Sequence, residues 1–263
     1  MTTTVTAVDG QGSTAPAAVA ARLTGVTHHF GEASRPPVLD RIDLTVAPGE
    51  FVCLLGASGC GKSTLLSLVA GLDQPVSGTV EVPGGRPALM FQEPALYPWL
   101  TAAGNVELAL RLRGVARAER REEAQRLLTL VRLEGSGPKR VHELSGGMRQ
   151  RVALARALAQ EGDLLLMDEP FAALDAITRD VLHEELTRIW TETGRAVIFV
   201  THNVREAVRL GQRVVLLSSR PGRVAREWSV DIPQPRRIDD PDVSRLSAEI
   251  TEDLRQEIAR HGH

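Results

Sequence analysis

The chain has 263 residues, of which 43% are hydrophobic and 3% aromatic, and its formal net charge is −2. That charge offers no basic surface for nucleic acid, and the apolar runs are far shorter than the roughly 20 residues of a spanning helix. Two cysteines without ligand spacing, Cys53 and Cys60, predict neither a disulfide framework nor a metal site.

The N-terminal part of the chain predicts short strands that lead into a glycine-rich turn and a helix. Residues 1–21, rich in Thr, Gly, Ala and Pro, are expected to form a disordered tail. Strands are predicted over 23–30, 42–46, 51–55, 79–82 and 88–91, and a helix is predicted over 63–70. The continuous apolar run 51–55 is typical of a strand that is buried on both faces.

The remainder of the chain alternates between helical and strand patterns. Residues from about 94 to 160 predict helices that are separate from the sheet. Strands predicted over 164–167, 196–200 and 214–217 alternate with helices over 180–191 and 204–210, which indicates βαβ units and a parallel sheet. A Pro-rich connection then leads to an amphipathic helix in a C-terminal extension, 231–263.

The turn after the third predicted strand has the spacing of a phosphate-binding loop. Gly56-Ala57-Ser58-Gly59-Cys60-Gly61-Lys62-Ser63 fits the pattern G-x-x-x-x-G-K-S. Glycines let backbone N–H groups converge on phosphate oxygens, and the helix that follows points its positive end at the same anion. Lys62 is expected to add a mobile charge at the β- and γ-phosphates, Ser63 to ligate Mg²⁺, and Thr64 to donate a further hydrogen bond. This pattern alone leaves kinases, GTPases and many ATPases open.

A second strand end carries two adjacent carboxylates. Asp168 and Glu169 directly follow the apolar run 164–167. In a parallel sheet this strand end meets the edge that carries the phosphate loop, so Asp168 is a candidate ligand of hydrated Mg²⁺. Glu169 is a candidate general base for the attacking water. By itself, the pair is equally consistent with a solvated strand end.

A second glycine-rich segment predicts another anion-binding helix start. Leu144-Ser145-Gly146-Gly147-Met148-Arg149-Gln150-Arg151 precedes a helix predicted over 152–159. Ser145 is a suitable helix cap, and the two glycines leave backbone N–H groups uncovered. The segment resembles the LSGGQ signature of ABC ATPases, with Met148 at the position where Gln is more common. A glycine-rich cap without a special role is the alternative.

Four more residues resemble landmarks of ABC ATPases, in the expected order along the chain. Phe30 resembles the aromatic residue that stacks on adenine. Gln92 resembles the Q-loop glutamine, which implies contact with Mg²⁺ and the γ-phosphate. Asp175 resembles the D-loop aspartate, and His202 resembles the switch histidine. Taken singly, each is also explained as a core or solvated residue; their joint order favours the family resemblance.

The resemblance implies a fold and an assembly. It implies an α/β P-loop NTPase of ABC ATPase type over 22–230, with a mostly parallel sheet core, an antiparallel β subdomain and a helical subdomain inserted at about 94–160. It also implies a head-to-tail dimer of two copies that binds ATP and Mg²⁺. Ser145, Gly146 and Gly147 of one copy would then contact the nucleotide held by the phosphate loop of the other.

Two stretches narrow the resemblance further. Residues 91–101 and 216–223 resemble the importers of sulfonates, taurine and nitrate, with aliphatic sulfonates as the first choice. This implies association with membrane permease subunits at the cytoplasmic face of the membrane, and indirectly with a solute-binding protein. Nucleic acid is not an expected partner. The alternatives are a non-transport ABC ATPase that acts on DNA, chromosomes or ribosomes, and a P-loop kinase.

Asn203 and the aromatic pair Tyr97 and Trp99 are two further details of the sequence that bear on function. Asn203 follows His202 where these importers usually have Asp. The loss of a carboxylate there is expected to change the electrostatic environment of the histidine. Tyr97 and Trp99 lie in an apolar segment that the resemblance assigns to docking of a permease helix. Internal packing of the helical region is the alternative for these two aromatic residues.

Overall fold

A computed structural model of the chain describes residues 18–31 and 36–261. Most of the predicted N-terminal tail, residues 1–17, lies outside the described residues. Ala21 is fully buried and is the first residue of a strand, so ordered structure begins inside the range predicted for the tail.

The strands form two sheets. They are β1 (Ala21–His28), β2 (Leu39–Val46), β3 (Phe51–Leu55), β4 (Ser77–Glu81), β5 (Ala88–Met90), β6 (Leu164–Asp168), β7 (Ala196–Val200), β8 (Arg213–Leu217) and β9 (Val224–Ser229). A three-stranded antiparallel sheet has the order β2-β1-β4, and a six-stranded sheet has the order β5-β6-β7-β3-β8-β9. The predicted mostly parallel core and antiparallel subdomain are both confirmed.

The described residues form seven α-helices. They are α1 (Lys62–Val69), α2 (Ala102–Leu112), α3 (Arg117–Leu130), α4 (Gly146–Leu158), α5 (Ala176–Thr193), α6 (Val204–Leu210) and α7 (Pro241–His261). Helices α2, α3 and α4 pack on one another and form the predicted helical region. Within the described residues, no helix combines the length and the apolar character that are required to span a bilayer.

The six-stranded sheet separates two hydrophobic cores, because side chains alternate across a strand. In β3, Val52 and Leu54 face the core that contains α1 and the antiparallel sheet. Phe51, Cys53 and Leu55 of the same strand face the other core, to which α4, α5 and α6 contribute. Helices α1 and α4 therefore lie on opposite faces of the sheet.

The main differences from the predicted elements have physical reasons. The helix that follows the signature segment 144–151 begins at Gly146, not after Arg151, because the Ser145 cap fixes its first turn despite the low helix propensity of the two glycines. The first strand ends at His28, so Phe30 lies beyond it. Strand β9 was not predicted; it is an antiparallel edge strand in which only Trp228 is buried, so its sequence lacks a strong alternating pattern.

Candidate functional site

The phosphate-loop residues lie together between β3 and α1, and two of their glycines are required by close packing. A Cβ atom on Gly56 would come within 2.6 Å of Sγ of Cys60. A Cβ atom on Gly61 would lie 2.6 Å from Cδ2 of Leu39, and Gly61 has a φ of 98°, a left-handed conformation that favours glycine. Side chains at these positions would displace the loop, so the cradle depends on their absence.

The side chain of Lys62 folds against the main chain of this loop. Its Nζ donates hydrogen bonds to the main-chain oxygens of Gly56, at 2.8 Å, and Ala57, at 3.0 Å. The side chain is buried, so its ammonium lies against the loop and not in solvent. A buried ammonium needs acceptors, and the loop carbonyls supply them.

Ser63 and Thr64 follow in the first turn of α1, and Ser63 reaches the end of β6. The side chain of Ser63 forms a hydrogen bond with the carboxylate of Asp168. Burial raises the pKa of Asp168, and the Ser63 hydrogen bond opposes that shift. A hydroxyl and a carboxylate in contact form a donor set of hard oxygen atoms, which is the type that Mg²⁺ prefers.

The residue after Asp168 is turned toward the neighbouring strand. The main-chain N–H of Glu169 donates to the oxygen of Val200 at 3.0 Å, and its φ of 42° lies in the left-handed region. A non-glycine residue with positive φ is uncommon, and tight hydrogen bonding holds it there. The Oε2 atom of Glu169 lies 3.1 Å from Nδ1 of His202, so the structure brings these two predicted residues into contact.

Asn203 has a defined structural role beside the switch histidine. It is the N-cap of α6, and its Oδ1 accepts hydrogen bonds from the backbone N–H groups of Arg205, at 3.0 Å, and Glu206, at 3.3 Å. Asn and Asp cap helices about equally well. The amide therefore preserves the cap that an aspartate would form at this position.

The signature residues meet the start of α5 in the same chain. Ser145 caps α4 by accepting a hydrogen bond from the backbone N–H of Met148 at 3.2 Å. Asp175 caps α5 in the same way, through Thr178 at 2.9 Å, and these hydrogen bonds lower the pKa of its carboxyl. A Cβ atom on Gly147 would lie only 2.6 Å from Cγ2 of Thr178. The two helix starts are therefore closely packed.

Phe30 and Gln92 occupy exposed positions. The ring of Phe30 is 56% exposed and lies edge-on to His28, with centroids 5.0 Å apart. An exposed aromatic face of this kind is available to a planar partner. Gln92 follows β5, and its main-chain oxygen accepts a hydrogen bond from Nε2 of Gln150 in α4, at 3.1 Å. It thus lies at the junction of the sheet and the helical region.

The predicted residues therefore form two groups. The first surrounds the phosphate loop and the ends of β6 and β7; its members are Gly56, Ala57, Ser58, Gly59, Cys60, Gly61, Lys62, Ser63, Thr64, Asp168, Glu169 and His202. The second surrounds the starts of α4 and α5; its members are Ser145, Gly146, Gly147 and Asp175. Helix α1 begins in the first group and α4 in the second, and they lie on opposite faces of the sheet.

Sequence reasoning did not identify the residues that lie behind the switch loop, the segment 201–203 around His202. His183 of α5 and Glu206 of α6 are buried and hydrogen-bonded to each other. Glu206 stands three residues after the cap Asn203, a spacing typical of helix starts. That local spacing could have marked Glu206, whereas nothing in the sequence near His183 marks it.

Comparison with known proteins identifies similar sequences. A family model described as ABC transporter matches residues 39–172. The taurine import ATP-binding protein TauB of Mesorhizobium japonicum is 49% identical over 208 residues, which cover 76% of this chain and 80% of that protein. The nitrate import ATP-binding protein NrtD of Synechocystis sp. is 48% identical over 202 residues, covering 74% of this chain and 76% of that protein.

Solved structures with the same fold are also similar in sequence. A dimeric structure described as a post-hydrolysis state of the ATP-binding cassette MJ0796 bound to ADP and Pi is 33% identical, with a TM-score of 0.70. The match covers 81% of this chain and 100% of that chain. With two glycine-rich helix starts, an acidic strand end and these similarities, the chain belongs to the ABC transporter family.

Proposed function

We propose that the chain is the ATP-hydrolysing subunit that energises an ABC importer of a small sulfonate. Relatives at 48–50% identity include several named taurine import ATP-binding proteins, and taurine is itself a sulfonate. The same role in nitrate import is the alternative, because NrtD of Synechocystis sp. is 48% identical over a similar length. Neither name identifies the transported solute, since selectivity belongs to the permease and the binding protein.

The observation that carries this proposal is the separation of two anion-binding helix starts. Lys62 and the phosphate loop open α1, whereas Ser145 caps α4 on the opposite face of the sheet. Because the two helices pack on opposite faces, we assign their starts to different nucleotide sites of the dimer. Two copies arranged head to tail place the phosphate loop of one against Ser145, Gly146 and Gly147 of the other.

The first group of residues, together with Gln92, is assigned roles in ATP binding and hydrolysis. The phosphate loop binds the phosphates, with Lys62 exchanging its loop carbonyls for β- and γ-phosphate oxygens. Ser63 and Asp168, together with Gln92 after β5, would hold Mg²⁺, which would neutralise charge on the phosphates. Glu169 accepts the proton of the attacking water, and His202 holds Glu169 and contacts the γ-phosphate.

The exposed aromatic segment near α2 is the proposed contact with the permease. Trp99 is 67% exposed and Tyr97 is 41% exposed, and their ring centroids are 5.3 Å apart. Large aromatic side chains that pack inside a core have little exposed surface. The exposure of Tyr97 and Trp99 therefore favours docking over internal packing. Through this contact the chain would lie peripherally at the cytoplasmic face of the membrane, and ATP-driven closure of the dimer would act on the permease.

Two experiments test the proposal. ATP hydrolysis by the isolated subunit should rise per chain with protein concentration, because the site is completed only in the dimer. Full activity in a demonstrably monomeric sample would contradict the shared site.

The second experiment tests the substrate class. The subunit is co-purified with its permease and binding protein, and ATP hydrolysis is measured with alkanesulfonates, taurine and nitrate. Stimulation by sulfonates supports the proposal, whereas stimulation by nitrate alone favours the alternative. Hydrolysis without any permease association would indicate a non-transport ABC ATPase.

A further inference from the structure

A buried polar cluster lies directly behind the switch loop. His183, Glu206 and Thr201 are 3%, 8% and 2% exposed. The Nε2 atom of His183 lies 2.6 Å from Oε1 of Glu206, and the hydroxyl of Thr201 donates to Oε2 of the same carboxylate. A carboxylate only accepts, so His183 donates from Nε2 and both oxygens of Glu206 are used.

The cluster is connected to His202 through the main chain on both sides of that residue. Thr201 precedes His202, and its Oγ1 accepts a hydrogen bond from the backbone N–H of Asn203 at 3.0 Å. Asn203 follows His202, and its side chain accepts from the backbone N–H of Glu206. The backbone N–H of Thr201 donates to the oxygen of Leu54 at 3.2 Å. The residues that flank His202 are therefore held by bonds that converge on Glu206.

The side chain of His202 has little restraint of its own. It is 66% exposed, and it contacts Oε2 of Glu169 at 3.1 Å. An exposed side chain with one contact depends on its backbone for orientation, because solvent provides no fixed geometry. The position of His202 relative to Glu169 is thus set by the loop that Glu206 holds.

Simple packing does not explain every bond in this cluster. The ring of His183 contacts Phe171, with centroids 5.7 Å apart, as any buried ring on α5 would. An apolar side chain would fill that space without the cost of burying a carboxylate beside it. Here the carboxylate joins α5 to the switch loop, and the N-cap of α5, Asp175, belongs to the second group of site residues.

We propose that His183 and Glu206 are positioning residues for ATP hydrolysis. Their buried bond holds Thr201 and Asn203 so that His202 faces Glu169. This inference rests on the proposed function, because it assigns the hydrolytic step to that pair. It predicts that breaking the bond lowers kcat while leaving ATP binding in place, since the phosphate loop is built from other residues.

The test compares His183→Leu, Glu206→Gln and His183→Gln in the full-length subunit. For His183→Leu we expect kcat to fall about tenfold or more, as displacement of a catalytic group by a fraction of an ångström does, with KM for ATP changed less than about twofold. Glu206→Gln should act in the same direction. His183→Gln keeps an N–H donor and should restore most of kcat.

Leu186→Ala is the matched control, because Leu186 is buried on α5 one turn beyond His183 and faces the apolar core. It should lower Tm without changing kcat below that temperature. If Leu186→Ala lowered kcat as much as His183→Leu at matched Tm, the cluster would act through general stability and the inference would be wrong.

A double variant tests whether the effect passes through His202. In a His202→Ala background, adding His183→Leu should cause no further loss of kcat, whereas losses that multiply would overturn the inference. The two proposals fail differently. If the wild-type subunit with its permease hydrolyses no ATP, the proposed function fails; if it hydrolyses ATP and His183→Leu keeps the wild-type kcat, only the positioning role fails.

Discussion

The Nδ1 atom of His202 lies 3.1 Å from Oε2 of Glu169, although 33 residues separate them in the chain. The contact follows from strand register. Strands β6 and β7 are parallel neighbours in which Asp168 pairs with Val200. Glu169 follows the first of these residues, and His202 comes two positions after the second, so both side chains emerge at the same edge of the sheet.

Replacing Glu169 with Gln should separate ATP binding from ATP turnover. The amide keeps the size of the carboxylate and removes the proton acceptor, so kcat should fall by about 10²- to 10⁴-fold. Nucleotide affinity, measured by titration with a fluorescent ATP analogue, should change little. Glu192→Gln, an exposed glutamate paired with Arg188, is the control and should retain activity. Near-normal turnover in Glu169→Gln would show that another group accepts the proton.

Asp168 should make the stability of the nucleotide-free chain depend on pH. Burial raises the pKa of this carboxyl in the folded chain, so the fold favours the protonated form. The associated stability is present at low pH and is lost as pH rises through the folded pKa. Compared with Asp168→Asn, the wild type should therefore lose free energy of unfolding as the pH rises above about 3.9, the usual pKa of an aspartate carboxyl.

This pH dependence is measured by urea denaturation of both proteins at several pH values without Mg²⁺ or nucleotide. Addition of Mg²⁺ and ATP should stabilise the wild type more than Asp168→Asn, because binding to the native state adds stability. Parallel pH profiles for the two proteins would contradict this account of Asp168.

The contact between the signature helix and α5 predicts a pair of compensating substitutions. In Gly147→Ala the new methyl group would lie 2.6 Å from Cγ2 of Thr178, so the variant should lose about 1–3 kcal/mol of unfolding free energy through overpacking. Thr178→Ser removes that methyl group, and the double variant should recover most of the loss. Denaturant titration of the two single variants and the double variant gives the coupling energy; additive losses would rule out a direct clash.

Asn203 should tolerate Asp better than Ala. Asn203→Ala removes the acceptor for two backbone N–H groups at the start of α6 and should cost about 1 kcal/mol. Asn203→Asp keeps the cap and should leave stability and ATP turnover close to those of the wild type. Thermal denaturation and steady-state ATP hydrolysis measure both quantities. A large fall in turnover for Asn203→Asp would mean that charge next to His202, and not the cap, dominates at this position.

Trp99→Ala should abolish transport while ATP hydrolysis by the isolated subunit stays normal. Trp99 is 67% exposed, and its proposed role is contact with the permease. Transport is measured in reconstituted vesicles and hydrolysis with the subunit alone. Leu112→Ala, at an 81% exposed residue at the far end of α2, is the control and should affect neither activity. Equal loss of both activities in Trp99→Ala would favour the internal packing role.

Features governed by neighbouring residues were predictable. Three predicted elements coincide with the structure: the strands over 51–55 and 196–200 are β3 and β7, and the helix over 204–210 is α6. Short apolar runs and helix caps can be recognised from residues that are close together in the sequence. Helix α4 was predicted too short, since glycine propensity argues against a start at Gly146. Ser145 caps that start. Close packing against Thr178, 31 positions away, leaves room only for glycine at position 147.

By itself, the sequence determined which chemical groups the chain carries and how they are arranged within each loop. The glycines around Lys62, the cap at Ser145 and the carboxylates after β6 all depend on interactions across a few residues. Only the tertiary structure decided that His202 meets Glu169, that His183 contacts Glu206, and that α1 and α4 lie on opposite faces. The first and third relationships arise from strand order and side-chain alternation in one sheet. The second arises because α5 and α6 pack on the same face of that sheet, where a hydrogen bond joins side chains that are distant in the chain.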